Sequence, residues 1–342
     1  MGISVQKSHQ LKSIAILMML CLHLFNRDFK DLFQPLIFIG SQPLSYYISL
    51  FSDACVPIFA FVSGYGLYYS FQNNKNIYFY KNVNRAKKLY LRYWIVLLLF
   101  AVILGWLLGK DGYPGNFLKF FVNFTGLRGS YNGAWWFFTI YIFFVFTSKF
   151  WFRILDKINP YIYLSLLFVL YVVAFYFRVY NNEIFKNPLL HYIHAQAALY
   201  FCTLFQFLLG SFALKYQWHK KVSKFFNKIK WPNLFAIIGI ITLIVFHGLI
   251  PNFIIAPFTA LGFIFLFLQM ELGKTVEKML NFFTVHSTNL WLIHMFIYST
   301  FFKKLIYAPQ NPMLIFVWLI LWCVLASYIV NTIYSRSQKI VL

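Results

Sequence analysis

The feature that most constrains this chain is a series of long apolar runs that contain almost no charged residues. Runs of this kind are long enough to cross about 30 Å of hydrocarbon as helices. Inside a bilayer the backbone must satisfy its own hydrogen bonds, which leaves helices or a closed barrel. Barrel strands would alternate polar and apolar residues, whereas these runs are apolar throughout. The sequence therefore predicts an all-α, polytopic integral membrane protein.

Composition excludes a soluble domain. Charged residues make up 11% of the 342 residues and hydrophobic residues 61%, whereas soluble domains carry about 25% charged residues. We predict one membrane-embedded domain over residues 1–342, with no separate soluble domain. The first apolar run should be a retained span, because it lacks a small-residue cleavage site and further spans follow it.

Ten apolar runs are candidates for membrane spans. The break between the seventh and the eighth run depends on a short turn signal at Gly248, Pro251 and Asn252. The predicted spans, in chain order, are Leu11–Phe25, Tyr46–Phe71, Tyr90–Leu108, Ala134–Phe152, Tyr161–Phe177, Ala195–Leu214, Asn233–Leu249, Phe253–Met270, Thr284–Phe302 and Met313–Tyr334.

Basic residues are distributed unequally between the two sides of this predicted bundle. With ten spans both termini share one side, and the segments on that side hold 21 of the 30 Lys and Arg residues. The positive-inside bias therefore predicts that both termini are cytoplasmic, in a multi-pass protein of the cell membrane. The same bias accounts for most of the net charge of +22 through contact with the lipid bilayer. Basic residues spread over many short loops do not predict a nucleic-acid partner.

Few side chains are available for chemistry inside the spans. The four cysteines lie within apolar runs without any metal-binding spacing, so we expect neither a metal site nor a disulfide. Asp53 is the one carboxylate inside a predicted span. Because ion-coupled pumps usually need buried carboxylates, this scarcity makes a proton-coupled pump a weak candidate.

Lys12 and His23 share a face of the first span. Eleven residues are close to three helical turns, which separates the two side chains by roughly 16 Å along the axis. This spacing predicts that Lys12 lies near the cytoplasmic interface and His23 near mid-membrane. There a neutral imidazole is a candidate general base. The spacing fits equally well a histidine that only hydrogen-bonds to a neighbouring helix.

Two further groups of polar residues also share one helical face each. His294 comes seven residues after Ser287 in the ninth span, so the two share one helical face, and His294 reaches a depth similar to that of His23. Arg85, Lys88 and Arg92 lie at i, i+3 and i+7 as the chain enters the third span. Such a row of cations suits a phosphate-rich ligand, although it fits simple interfacial anchoring as well.

Five segments resemble motifs of acyltransferase family 3, and they occur in the order of that family along nearly the whole chain. The segments are LKSIAILMMLCLH, VPIFAFVSGYGLYYSF, NRAKKLYLRYW, GAWWFF and STNLWLIH. Lys12 stands where many members have arginine. The histidine that many relatives place before the Trp-Phe pair is missing, so we assign Trp135 no catalytic part.

This resemblance implies a membrane O-acyltransferase, in most relatives an O-acetyltransferase, that modifies surface polysaccharides or their lipid-linked precursors. Acetyl-CoA or another acyl-CoA would be a co-substrate, with no bound cofactor. We expect catalytic roles for His23 and His294, donor-binding roles for Lys12, Arg85, Lys88 and Arg92, and substrate-orienting roles for Ser63 and Ser287. We add Asp53 to the catalytic residues because it is the one carboxylate inside a predicted span, where it could orient an imidazole or bind sugar hydroxyls.

Two other classes of protein stay open on the sequence. A polysaccharide exporter or flippase would use no thioester and would tolerate changes at His23. A non-catalytic membrane partner of an envelope transferase would have no affinity for acetyl-CoA. Homo-oligomerisation, the acceptor sugar and its hydroxyl, the acyl group and the side of the membrane where transfer occurs stay open as well. The sequence also leaves open whether His23 acts as a base or as an acyl carrier.

Overall fold

A computed structural model describes residues 2–341, and these residues form a helical bundle. Within this range the β-structure is one short antiparallel hairpin, Phe38–Ile39 with Gln42–Pro43, in the loop after the first helix. The first eight helices are α1 (Val5–Phe25), α2 (Leu44–Phe51), α3 (Cys55–Asn73), α4 (Tyr78–Val96), α5 (Gly105–Leu107), α6 (Phe117–Phe124), α7 (Trp136–Lys157) and α8 (Pro160–Val179).

Seven more helices complete the bundle, and two π-helical segments extend α4 and α13. The helices are α9 (Pro188–Lys215), α10 (Trp218–Phe226), α11 (Pro232–Leu249), α12 (Ala256–Gln269), α13 (Lys274–Met295), α14 (Lys303–Tyr307) and α15 (Pro312–Val341). The π-helical segments are Leu97–Leu104 and Phe296–Phe301. The predicted all-α class is therefore confirmed for the residues described.

Local sequence signals set the starts of several helices. Asn159 and Asn187 cap α8 and α9 through side-chain oxygens that accept hydrogen bonds from the first backbone N–H groups. A proline follows each of these caps at the first helical position, where its missing N–H would have had no partner inside the helix. Ser4 caps α1 in the same way by accepting from the Lys7 amide.

Eight helical segments are long and apolar enough to cross a membrane. They are Val5–Phe25, Leu44–Asn73, Lys75–Leu107, Gly133–Lys157, Pro160–Val179, Pro188–Lys215, Pro232–Leu249 and Pro312–Lys339. Outward-facing apolar side chains such as Val169, Ile241 and Ile329 are more than half exposed, as expected for a surface that contacts lipid. These segments coincide with eight of the ten predicted spans.

The other two predicted spans differ for physical reasons. The predicted span Phe253–Met270 forms a shorter apolar helix, Phe253–Gln269. The span predicted at Thr284–Phe302 falls on α13 and its π-helical extension, which carry His286, Asn289 and His294 among apolar residues. These three polar side chains are almost completely buried against other helices, so α13 does not need an apolar surface. The count of ten and the cytoplasmic position of both termini stay predictions.

The buried apolar side chains form two clusters that meet at α1. One cluster includes side chains of α3, α7, α8, α9 and α12, and the other includes side chains of α4, α13 and α15. Helix α1 contributes Leu11 and Ala15 to the first cluster, and Ile16 and Leu20 to the second. Its polar residues consequently lie where the two halves of the bundle join.

Two glycines allow α3 and α9 to approach closely. A Cβ atom added at Gly64 would lie 1.7 Å from the Phe207 carbonyl oxygen, and one added at Gly210 would lie 1.9 Å from that of Phe61. Ser211, next to Gly210, donates a hydrogen bond of 3.1 Å to the Gly64 carbonyl. Small residues at a helix crossing permit this backbone contact inside a membrane. The crossing fixes the neighbouring Ser63 and Gln206, which face different cavities.

Candidate active site

Two histidines from distant parts of the chain form a direct hydrogen bond. His23 Nδ1 lies 2.6 Å from His294 Nε2, and the two rings are nearly parallel, with a 5° interplanar angle. The packing of α1 along α13 brings them together. Ser13 strengthens this packing through a 2.7 Å hydrogen bond to the Leu280 carbonyl. The sequence predicts a similar depth for both imidazoles, but it does not predict this contact.

The hydrogen bonds assign the tautomer of each imidazole. His294 Nδ1 lies 3.0 Å from the Leu290 carbonyl oxygen and 2.9 Å from that of Trp291, so it must carry a proton. In the neutral ring Nε2 is then the acceptor, and His23 Nδ1 must be the donor. This assignment leaves the lone pair of His23 Nε2 without a protein partner among the described residues. His23 can therefore accept a proton from a ligand.

His23 lies in the last turn of α1, two residues before the helix ends at Phe25. This position is nearer to the end of the helix than the half-way position that the spacing from Lys12 predicts. His294 lies in the last turn of α13, directly before the π-helical extension. The pair therefore lies toward the end of the bundle that is opposite the amino terminus.

A cavity of about 240 Å³ has His23 in its wall, and we call it the His23 cavity. Its polar lining also includes Asp53, Arg178, Thr203 and Gln206, and Trp136 of the GAWWFF segment contributes an aromatic wall. The preceding Trp135 is buried and donates its indole N–H to the Leu292 carbonyl, so it contacts protein only.

A second cavity of about 240 Å³ lies toward the other end of α1, and we call it the cation cavity. All four residues that the sequence assigns to donor binding line it, together with both predicted substrate-orienting serines. The six residues are Lys12, Arg85, Lys88, Arg92, Ser63 and Ser287. Within the described residues none of these four cations has a carboxylate within 4.0 Å. The cavity therefore carries positive charge that no described carboxylate neutralises directly.

Side-chain amides hold two of these cations in place. Arg92 donates to the side-chain oxygens of Asn289 (3.2 Å) and Asn331 (2.7 Å), and its guanidinium carbon lies 3.8 Å from the centre of the Tyr334 ring. Arg85 donates to the side-chain oxygen of Asn82 at 2.6 Å. These neutral partners orient the guanidinium groups without cancelling their charge, as an anion site requires.

Three apolar side chains separate the two cavities. Met19, Phe137 and Trp291 line both of them, and Met19 lies between Lys12 and His23 on α1. The Trp291 indole is fixed by a hydrogen bond of 3.0 Å to the Ala134 carbonyl. A long, narrow ligand in the cation cavity would reach His23 only by passing this wall.

Comparison with known families decides between the classes of membrane protein that share such features. The model of acyltransferase family 3, described as an acyltransferase domain, matches residues 7–332. The chain belongs to this acyltransferase family. It is therefore a membrane acyltransferase, which confirms the resemblance that the five sequence motifs indicate. No curated protein and no solved structure matches the chain.

Asp53 of this acyltransferase lies in a single 3₁₀ turn, Ser52–Ala54, between α2 and α3. It lines the same cavity as His23 but makes no described hydrogen bond to either histidine of the pair. Its nearest imidazole contact is His247, with Nε2 3.9 Å from Asp53 Oδ2. Asp53 is therefore placed to contact a ligand in the His23 cavity rather than to orient His23.

Sequence reasoning missed several polar residues of the acyltransferase. Arg178 falls one residue beyond the predicted fifth span, where an arginine is commonly an interfacial anchor. Asn289 and Asn331 hold Arg92, but they come from helices that only the tertiary fold brings together. Gln206 lies in an apolar run, and a polar amide inside such a run was the available signal.

Proposed function

We propose that this acyltransferase is an O-acyltransferase of the cell membrane, specifically an O-acetyltransferase. In this proposal the donor is cytoplasmic acetyl-CoA or another acyl-CoA. The acceptor is a hydroxyl of a surface polysaccharide or of its lipid-linked precursor. Family membership supports acyl transfer in general, and the two cavities support this choice of donor and acceptor.

The observation that carries the proposal is the unpaired lone pair of His23 Nε2. His23 removes the proton of the acceptor hydroxyl, and the hydroxyl oxygen attacks the thioester carbonyl carbon. The carbon–sulfur bond then breaks, and the leaving thiolate takes the proton from the His23 imidazolium. While His23 is charged, its Nδ1–H donates to His294 Nε2, which stabilises the imidazolium. His294 has both ring nitrogens engaged, so we assign it a positioning role rather than contact with the thioester.

The cation cavity suits the phosphates of the donor. Guanidinium and ammonium groups without carboxylate partners bind phosphate through charge-assisted hydrogen bonds. Ser63 and Ser287 lie on the same side of the apolar wall, so we assign them to orienting the donor. The narrow thiol arm of the donor would pass Met19, Phe137 and Trp291 to present its carbonyl to His23. The acceptor would bind in the His23 cavity and reach His23 from that side.

The deciding experiment compares the envelope glycans of cells with and without the protein by mass spectrometry. Loss of acetyl increments in cells without the protein, restored by the wild-type chain but not by His23→Ala, supports the proposal. The purified protein should in addition release free CoA from acetyl-CoA in an acceptor-dependent manner. Glycans that keep their acetylation but fail to reach the surface would indicate an exporter. Acetylation that continues with His23→Ala would indicate a non-catalytic partner.

A further inference from the structure

Arg178 is the cation of the His23 cavity, and no role has yet been assigned to it. It lies in the last turn of α8 and is partly exposed to the cavity. Its guanidinium carbon lies 4.8 Å from the centre of the Phe253 ring and 5.4 Å from that of the Trp136 ring. Contacts with aromatic faces hold a guanidinium in place and leave its N–H groups, which lie in its plane, free to donate.

Among the described residues the N–H groups of Arg178 have almost no acceptors. The one described hydrogen bond runs from Nη1 to the Cys202 sulfur at 3.8 Å, and a thiol is a weak acceptor. Among the residues that the structure describes, no carboxylate lies within 4.0 Å of Arg178. A guanidinium has five N–H donors, so most of those of Arg178 have no acceptor among the described residues and are available to a ligand in the cavity.

Asp53 shares the cavity with Arg178 but does not form a direct ion pair with it. Its closest basic contact is His247, which packs behind it at 3.9 Å. Gln206 adds an acceptor, because its side-chain oxygen is buried and has no described hydrogen-bond donor. Arg178 can therefore donate hydrogen bonds to oxygen atoms of a ligand, and Asp53 and Gln206 can accept hydrogen bonds from its hydroxyl groups.

We propose that Arg178 binds an anionic oxygen group of the acceptor, a carboxylate or a phosphate, and thereby selects acceptors that carry this charge. Asp53 and Gln206 accept hydrogen bonds from hydroxyl groups of the same acceptor. The proposal rests on the O-acyltransferase function, and it makes Arg178 a specificity-determining residue rather than a catalytic one. An oxyanion fits better than a neutral hydroxyl, because a guanidinium donates two parallel hydrogen bonds to a carboxylate or phosphate.

Two sources could supply this anionic group. One is a uronic acid within the glycan, and the other is a phosphate of a lipid-linked precursor. Both present oxygen atoms that match the fork of Arg178. The cavity is small, so the anionic group must lie close to the hydroxyl that His23 deprotonates. Binding measurements with separate probes distinguish these sources.

The first test measures thermal stability of the purified protein in detergent with methyl glucuronide, methyl glucoside or inorganic phosphate. We expect at least one anionic probe, but not the neutral glucoside, to raise the Tm of the wild type, because ligand binding stabilises the folded state. The glucuronide shift should vanish and the phosphate shift should fall in Arg178→Gln, and both should persist in part in Arg178→Lys. Because phosphate also suits the cation cavity, Arg92→Gln serves as the matched control and should keep the Arg178-dependent shift.

The outcomes of this test are distinct. A shift that depends on Arg178 and appears with glucuronide alone assigns Arg178 to a sugar carboxylate, and one that appears with phosphate alone assigns it to a phosphate. Equal shifts in the wild type and Arg178→Gln, or no shift with either anion, overturn the proposal. Size-exclusion profiles must show that Arg178→Gln and Arg178→Lys are folded. If Arg178→Gln fails to fold, the wild type is compared with Arg178→Lys. A smaller anion-dependent shift in Arg178→Lys and no shift with the neutral glucoside support the proposal, and an equal shift in both proteins overturns it.

The second test follows acetyl transfer to native glycans separated by anion exchange. The wild type should label the retained, charged fraction, and Arg178→Gln should raise the acceptor KM about tenfold or more while the donor KM stays constant. Labelling of the neutral fraction would contradict the proposal. Absence of label in every fraction with the wild type would instead be a failure of the O-acyltransferase function. In that event the stability test alone decides whether Arg178 binds anions.

Discussion

His294 accepts a hydrogen bond from His23 through Nε2, while its own Nδ1–H points to the backbone carbonyls of Leu290 and Trp291. The main chain of α13 therefore fixes the tautomer of a residue on α1. A base that is oriented by a second group is the general arrangement of acid–base catalysts. Here the orienting group is a neutral imidazole, and helix geometry holds it in place.

Replacement of the two histidines should have unequal effects. His23→Ala should lower acetyl transfer by about 10²–10⁴-fold, because the general base is lost. His294→Ala should cost less, since the His23 base survives with a poorer orientation. The measurement is transfer in membranes at matched protein levels, with His191→Ala as a control outside both cavities. An activity of His23→Ala within a few-fold of the wild type would remove the proposed mechanism.

Replacement of Arg92 should weaken donor binding. One charge-assisted hydrogen bond contributes about 1.5–3 kcal/mol, so Arg92→Ala should raise the donor KM about tenfold or more. The acceptor KM should change little. Asn331→Ala should give a smaller effect in the same direction, because it removes a 2.7 Å contact that orients Arg92. Lys149→Ala, a cation outside the cation cavity, is the control, and an equal effect there would indicate general electrostatics.

The crossing of α3 and α9 makes a packing prediction with an internal control. Gly210→Ala would place a methyl group 1.9 Å from the Phe61 carbonyl oxygen, and overpacking of this kind costs about 1–3 kcal/mol. Gly66→Ala lies on the same helix pair but has no neighbour within 4 Å of the added Cβ atom. Gly210→Ala should therefore lower the Tm in detergent, and Gly66→Ala should not. Equal Tm values would show that the helices separate at little cost.

The charge distribution predicts the orientation of the bundle. Both termini and the segment Lys215–Trp231 should be cytoplasmic, because 21 of the 30 basic residues fall on that side of the predicted spans. Single cysteines at Lys220 and Lys228, introduced into a variant without native cysteines, should resist impermeant reagents in intact cells and react after lysis. Labelling in intact cells would reverse the orientation and place the cation cavity on the wrong side for a cytoplasmic donor.

Much of the site could be predicted because it depends on single helices. The row of Arg85, Lys88 and Arg92 follows from helical periodicity, and all three residues line one cavity with Lys12. The eight apolar spans follow from composition in the same way. In these cases local geometry alone brings the relevant residues to one face.

Features that depend on packing between helices could not be predicted. The bond between His23 and His294 joins residues 271 positions apart, and no periodicity encodes it. The sequence predicts a span at Thr284–Phe302, but it does not predict that the polar side chains of α13 are buried against other helices. In the sequence alone Arg178 resembles an interfacial anchor, because it directly follows an apolar run. Only the packing around α8 shows that it faces a cavity.

The apolar wall of Met19, Phe137 and Trp291 bears on the ion gradients across the membrane. A continuous water-filled path through the bundle would conduct ions and dissipate the gradients across the membrane. Apolar constrictions exclude water and ions even where a slender organic group can pass. In the mechanism that we propose, the acyl group passes this wall from the cation cavity to the His23 cavity while the bundle stays closed to ions.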